Sequence, residues 1–357
     1  MNIQLLDLYS DYLLSSFSYT TATGLSSVLD SQVSHDKITR FLSAETWTSK
    51  DLWKLVKPTV REVESDDGIL IFDDTIEEKM YTDENDMITW HFDHVFGRSV
   101  KGVNLLSCLY HVKDINIPVQ FELIKKTIET TDKKTGKTIR KSSVTKNEMF
   151  RSMIGTCANT LHLRFSHVVA DVWFSSNESM KYIHEELNKI FILPIKSNRL
   201  VAFSKEDQQS GSFEQVGATV RELTLEPVQV FLQGLSFPVL LLKQVFINED
   251  NSQGVLYLVT NDLTATKDEI TSTYQKRWNI EEYHKSIKSN ASFAKSPTKT
   301  VRTQSNHFFA SIFSYLKFEL LKKKTRLNHF ALKSKLYLCA IRSSMNELTR
   351  LRQSHGW

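Results

Sequence analysis

"YQKRWNIEEYHKSIK", residues 274–288, sets aromatic rings, basic side chains and an acidic pair along one short stretch. Wound as an α-helix, each residue advances about 100°, so Tyr274, Arg277, Glu281 and Lys288 fall within an arc of roughly 60°. Ile280, Tyr283 and Ile287 fall on the opposite side, at the i, i+3, i+7 spacing of a buried stripe. The spacing predicts a helix that rests on a core by its Ile/Tyr side and presents one carboxylate among cations and a phenol. A glutamate set in a phosphate-attracting surface weakens simple anion binding, so its presence there calls for another role.

Upstream, GILIFDDT (68–75) is an apolar run too short for a helix and ends in carboxylates, which predicts a buried strand. VNLLSCLYHV (103–112), IPVQFELIKK (117–126) and FSHVVAD (165–171) read as further strands. NEMFRSMIGTCANTLH (147–162) and NESMKYIHEELNKIF (177–191) read as helices, the second capped by Ser176 or Asn177. TTDKKTGKTIRK (130–141) reads as an exposed basic turn or loop. Residues 196–261 change to alternating, β-branched texture in RLVAF, ATVRELTL, VQVFLQGL, VLLLKQVFI and GVLYLVT, a β-rich insertion ahead of the quoted helix. HFFASIFSYLKFELLKKK (307–324) follows as an apolar helix with a basic end.

This order places an acid at the end of the first strand (Asp73), one at the end of a later strand (Asp171) and one on the quoted helix (Glu281). Three such carboxylates can hold two divalent cations, and hard oxygen donors suit Mg2+ or Mn2+, not zinc. Such a pair activates a water or sugar hydroxyl and stabilises the leaving 3' oxygen of a phosphodiester. Glu281 then has its reason as a metal ligand, while Tyr274, Arg277 and Lys288 hold phosphates beside it. Asp74 adjoins the same strand end as Asp73; alternation and the Asp-x-Thr pattern favour Asp73.

The spacing Tyr-x2-Arg-x3-Glu-x6-Lys, with its "RWxIEEYHK" interior, resembles the signature helix of cut-and-paste DDE transposases of the insertion-sequence-four superfamily. "ILIFDDT" and "VVADVWFSS" are similar to that family's two aspartate-bearing strands, and a β-rich insertion between second Asp and Glu is also similar, so the resemblance covers about residues 65–325. It implies an α/β, RNase-H-like mixed sheet flanked by helices, with the β-rich insertion before the last catalytic helix and a helical N-terminal domain. It implies a transposase that binds terminal inverted repeats in double-stranded DNA, cleaves the element ends with two Mg2+ or Mn2+ ions, and joins the 3' hydroxyls to target DNA as a synaptic homodimer. Carried over, Asp73, Asp171 and Glu281 are catalytic metal ligands, and Tyr274, Arg277 and Lys288, with Lys285 beside them, contact DNA. Some relatives hold a flipped base on a tryptophan in the insertion; residues 196–261 contain none, which leaves Phe231 or Phe237 for that task. An RNase-H-like nuclease, or a domesticated transposase kept for DNA binding, are the alternatives, and each needs less of the pattern than is present.

Five segments follow: 1–64, helical and expected to bind DNA; 65–195, the first part of the catalytic core; 196–261, the insertion; 262–325, the second part of the core; and 326–357, a basic helical tail. In the first, SHDKITRFLS and TSKDLWKLVKPTVREV each open on a capping hydroxyl. Lys37 and Arg40 would be exposed there, fitting either a DNA-reading helix pair or a helical cap on the main domain. From Tyr283 onward fifteen Lys and Arg stand against only Glu319 and Glu347, so residues 1–282 are net negative within a chain of formal charge +4. That asymmetry favours a polyanion as partner of the C-terminal part.

Cys108, Cys157 and Cys339 form no CxxC pair, and no apolar run approaches twenty residues. The first residues lack a basic n-region. A cytoplasmic protein at the nucleoid, with no membrane partner, is the expectation. Elsewhere the plainer readings are preferred: Trp278 as a packing residue, HFDH (91–94) as a solvated loop, Asp262 and Glu269 as caps, and Phe308, Phe309, Phe313 and Phe318 as core. His284 reads as a phosphate donor or a surface residue.

Overall fold

A computed structural model describes residues 1–93, 97–133, 136–218, 226–247 and 251–355. Four helices come first: α1 (Ile3–Ser15), α2 (Ala22–Val28), α3 (His35–Ser43) and α4 (Ser49–Val63). The hydroxyls foreseen at their starts are used, since Ser34 Oγ accepts from the Lys37 N–H at 3.3 Å and Asp51 accepts from the Thr48 N–H at 3.1 Å. Leu6, Phe41, Leu52 and Val56 from these helices lie in one continuous core with Leu70 and Ile71 of the sheet and Phe308 of a later helix. Asn306 ties the joint by donating to the carbonyls of Leu42 and Glu45 at 2.8 and 2.6 Å. The helices thus cap the main body.

The chain then forms β1 (Ile69–Glu78), β2 (Thr89–Asp93), β3 (Arg98–Val112), β4 (Ile115–Leu123), the hairpin of β5 (Ile128–Thr131) and β6 (Thr138–Lys141), α5 (Lys146–Gly155), β7 (His167–Ala170), α6 (Asn177–Lys181) and β8 (Ile190–Ile195). β9 (Leu200–Ala202), α7 (Lys205–Ser210), β10 (Glu214–Gln215), β11 (Val228–Leu232), β12 (Val239–Ile247) and β13 (Gln253–Thr260) follow. Last come α8 (Lys267–Gln275), α9 (Trp278–Ser289), α10 (Val301–Thr325) and α11 (His329–His355).

Among the described residues the main sheet has eleven strands in the order β10-β9-β11-β12-β13-β8-β7-β1-β3-β2, with β4 also on β3. β1 pairs antiparallel with β3 and parallel with β7, and β7 pairs parallel with β8. This is the RNase-H-like mixed sheet flanked by helices that the resemblance implied. The strands of residues 196–261 extend that sheet, because β13 pairs antiparallel with β8, Val259 opposite Leu193.

Several local expectations are corrected. β1 does not stop at its carboxylates; it runs on to Glu78 because β3 continues to pair with it, while parallel pairing with β7 ends at Phe72 and Ala170. Residues 188–191 are not helix: Asn188 takes φ +49° after a π turn, and β8 begins at Ile190. The basic stretch 130–141 is largely the β5–β6 hairpin. His91 is no solvated loop residue; it is buried in β2, bonded to Thr89 Oγ at 3.0 Å, and burial holds its imidazole down to about 3. His94 of the same motif, and nearly all of ATVRELTL, lie outside the described residues. Among the described residues no helix is long and apolar enough to cross a membrane.

Candidate active site

The stretch 274–288 forms two helices, not one. Gln275 closes α8 and Trp278 opens α9, and between them the Lys276 and Arg277 N–H groups bond three residues back, to Thr273 and Tyr274, at 3.1 and 2.9 Å. That tightened turn keeps the chain winding, so the expected faces survive. Ile280, Tyr283 and Ile287 are fully buried, and Tyr283 meets Tyr315 of α10 edge-on at 4.8 Å. The opposite face looks onto β1.

Register does the rest. Phe72 and Ala170 are the last paired residues of β1 and β7, so Asp73 and Asp171 follow side by side at the point where β7 stops. Asp171 then starts a 3-10 turn by accepting from the Phe174 N–H at 3.0 Å. Glu281 comes down from α9 onto the same cleft, a cavity of about 1250 Å³ that Asp73, Asp171, Glu281, Arg277 and Lys288 all line.

The charges inside are strained against one another. Burial, with the carboxylates of Asp74 and Asp171 nearby, pushes Asp73 up to about 7. Arg277 lies between two of the acids, donating to Glu281 at 2.5 Å and standing 3.8 Å from Asp73. Asp74 also lines the cleft, where it accepts from Lys146 at 2.7 Å and Asn104 at 2.8 Å. The two neighbours thus differ in partner, Asp73 standing beside Arg277 and Asp74 paired with Lys146.

The other sequence-nominated residues separate into groups. Tyr274 is half-buried beneath the Arg277 guanidinium, 5.9 Å from ring centre to carbon, and burial raises its phenol to about 12. Lys288 donates to the Ile76 carbonyl at 2.6 Å and so fastens α9 to β1; burial lowers its ammonium, opposed by Glu77. Lys285 is exposed over the Phe330 ring at 5.2 Å and is not among the residues lining the cleft. Lys37 and Arg40 are exposed on α3 and line a separate cavity of about 270 Å³ with Phe41 and Trp47.

Two expectations fail here, and one residue was missed. His284 is no surface residue: it is buried against Ser107 Oγ at 3.4 Å among the residues lining the cleft, and burial holds it down to about 3. Trp278 is not packed; it is 61% exposed, because its helical angle puts it beside Tyr274 and Lys288 and not beside the Ile/Tyr stripe. The missed residue is Trp173, two positions after Asp171. It lines the cleft, 48% exposed, with the Lys146 ammonium 5.7 Å over its ring. Phe237 instead packs on His184 at 4.0 Å, and neither it nor Phe231 lines the cleft. Glu269 and Asp262 act as caps, bonded to Thr266 and Thr264.

The donors fit hard divalent cations in kind, being carboxylate oxygens crowded enough to raise one of them and already neutralised by the Arg277 cation. As placed, however, no group of three or more His, Cys, Asp or Glu side chains among the described residues is gathered around a single point that could hold an ion. The guanidinium occupies the space between Asp73 and Glu281.

Sheet order and flanking helices together are those of an RNase-H-like fold. A family model described as DDE superfamily endonuclease matches residues 4–212, and one described as transposase DDE domain matches residues 128–317. Each spans more than half of the 357 residues, and the chain belongs to the DDE transposases, enzymes that act on DNA. No curated protein matches it.

Proposed function

We propose that this chain is a cut-and-paste transposase of the insertion-sequence-four type, which binds terminal inverted repeats, cleaves phosphodiesters at the element ends and joins the 3' hydroxyls to target DNA. The observation that carries the reading is that Asp73, Asp171 and Glu281 all line one cleft, walled also by Lys126, Lys146, Lys196, Arg277 and Lys288. The three carboxylates would hold two Mg2+ or Mn2+ ions, which supply Lewis-acid activation of the attacking hydroxyl and stabilisation of the leaving 3' oxygen. The chain's own cations bind and orient the scissile phosphate: Arg277 exchanges its carboxylate partners for phosphate oxygens, and Lys146 serves from the opposite wall. Trp173 offers a flat ring beside Asp171 on which an unstacked base can rest.

Two element ends require two clefts, so the working form is a homodimer on double-stranded DNA, in the cytoplasm at the nucleoid. Lys37 and Arg40 on α3, and Lys285 beyond the cleft, would contact the flanking duplex. The decisive experiment is Glu281→Gln, assayed on a labelled inverted-repeat duplex. Mg2+-dependent cleavage should vanish while end binding persists. Retained cleavage per bound complex would remove Glu281 from the chemistry. Arg277→Ala should weaken end binding and flatten its salt dependence.

A further inference from the structure

α11 is anchored over its first turns, where Tyr337 also stands edge-on to Phe17 at 5.1 Å, and is largely exposed beyond them. Asn328 Oδ1 caps its start by accepting from the Ala331 N–H at 2.8 Å. Ser286 Oγ meets His329 Nδ1 at 2.8 Å, and Lys333 donates to the carbonyls of Leu14 and Ser16 at 2.6 and 2.8 Å. From Ser334 to Ser354 every residue except the half-buried Ile341 is exposed. A lone helix of that length is marginal in water, and this one carries Ser343, Ser344, Asn346 and Thr349, which favour helix poorly.

Its outer half is nevertheless patterned. Tyr337, Leu338, Ile341, Met345, Leu348 and Leu351 occupy an arc of roughly 140°, and the spacing 338, 341, 345, 348 is that of a heptad seam. Met345 is 62% exposed, and Leu338 and Leu348 are each 50% exposed. The basic residues Lys335, Arg342 and Arg350 lie to one side of that arc.

We propose that this seam is the contact between two copies of the chain, which pair their α11 helices antiparallel about a two-fold axis near Ser343. The stripe is complementary to itself in that register. Leu338 faces Leu348 of the second copy and Ile341 faces its Met345, and the axis repeats both layers, so four successive layers are apolar throughout. Tyr337 then lies along Leu351 of the other copy. Arg352, the next seam position, meets Ser334, whereas parallel pairing would press it against another Arg352. Arg342 approaches its own counterpart only on the solvated flank.

Size and placement agree. Six side chains of this kind, about half exposed, present on the order of 500 Å² per copy, so an equal stripe brings the pair to the roughly 1,000 Å² a specific interface needs. Each anchored base lies about fourteen residues, or about 21 Å of helix, from the axis, so the two bodies sit at opposite ends and do not collide.

The pairing deepens the two-copy reading above and rests on it, yet the two can fail separately. In a background carrying Cys339→Ser, Leu338→Cys and Leu348→Cys are made as separate full-length chains and oxidised alone and mixed. Antiparallel pairing requires a cross-linked product in the mixture and none from either alone; cross-linking of either variant with itself overturns the register. Light scattering should show the wild-type chain as a dimer and Met345→Glu as a monomer, with the cooperative melt of the monomer body retained. The dimer should hold or tighten as salt rises, because only like charges approach. A wild-type dimer untouched by Met345→Glu overturns the interface and leaves two-copy action standing elsewhere. Weakened DNA binding by Met345→Glu with no change in mass would assign the face to nucleic acid and overturn the proposal as well.

Discussion

α9 and α11 are both amphipathic by the same arithmetic, and they end in opposite situations. On α9 the Ile280, Tyr283 and Ile287 stripe is fully buried against the chain's own core, which frees the other face to carry Glu281 over β1. On α11 the equivalent stripe, Leu338 to Leu348, is exposed apart from the half-buried Ile341. Periodicity states that a face needs a partner. It does not state whether the partner lies within the molecule.

The comparison breaks most sharply at its apolar faces. Ile287→Ala should cost about 2–5 kcal/mol of unfolding free energy through its cavity, whereas Leu348→Ala, measured in denaturant at concentrations where the chain is monomeric, should stay within about 0.5 kcal/mol. Equal costs would mean that α11 is held by its own body after all.

The polar face of α9 yields the next effect, with the opposite sign. Asp73 has its carboxyl raised from 3.8 to about 7, so the folded protein takes up a proton that the unfolded chain releases, and stability falls as pH climbs through that window. Asp73→Asn removes the burden: in chelator its melting temperature should exceed wild type at pH 8 and the gain should shrink toward nothing below pH 4. A gain independent of pH would mean that the buried charge is not its source.

Smaller again is the joint between the two helices. Glu319 of α10 is buried, yet contacts with His329 and Lys322 keep its carboxyl below the ordinary value despite that burial. A lowered carboxylate contributes stability above its ordinary pKa that is lost as pH falls, so Glu319→Gln should cost about 1–3 kcal/mol near neutrality and less in acid. Hydrogen exchange in α11 should rise with it. Last, Lys285→Ala removes only an exposed cation over Phe330 and should change stability by about 0.5 kcal/mol or less.

Much of the site was legible before any coordinates. The apolar runs holding Asp73 and Asp171, and the α9 winding that sets Arg277 beside Glu281, are local patterns, and local sterics enforce them. Other features were hidden for identifiable reasons. β8 contains Pro194, which usually argues against a central strand, yet here it sits opposite Leu258 between β13 and β7. His284 lies at the border of the α9 stripe, and only the approach of Ser107 on β3 decides that it is buried. Trp173 was in plain view two residues after Asp171, but its exposure in the cleft depends on the turn that follows β7.

By itself the sequence determined which faces of α9 are apolar and which hydroxyls cap several helices, because rotation per residue and capping act over a few positions. Only the tertiary structure decided that Asp74 pairs with Lys146, that Arg277 stands between Asp73 and Glu281, and that the stripe of α11 is left over. Those outcomes depend on which distant segments arrive alongside, and strand register and packing across the whole chain govern that.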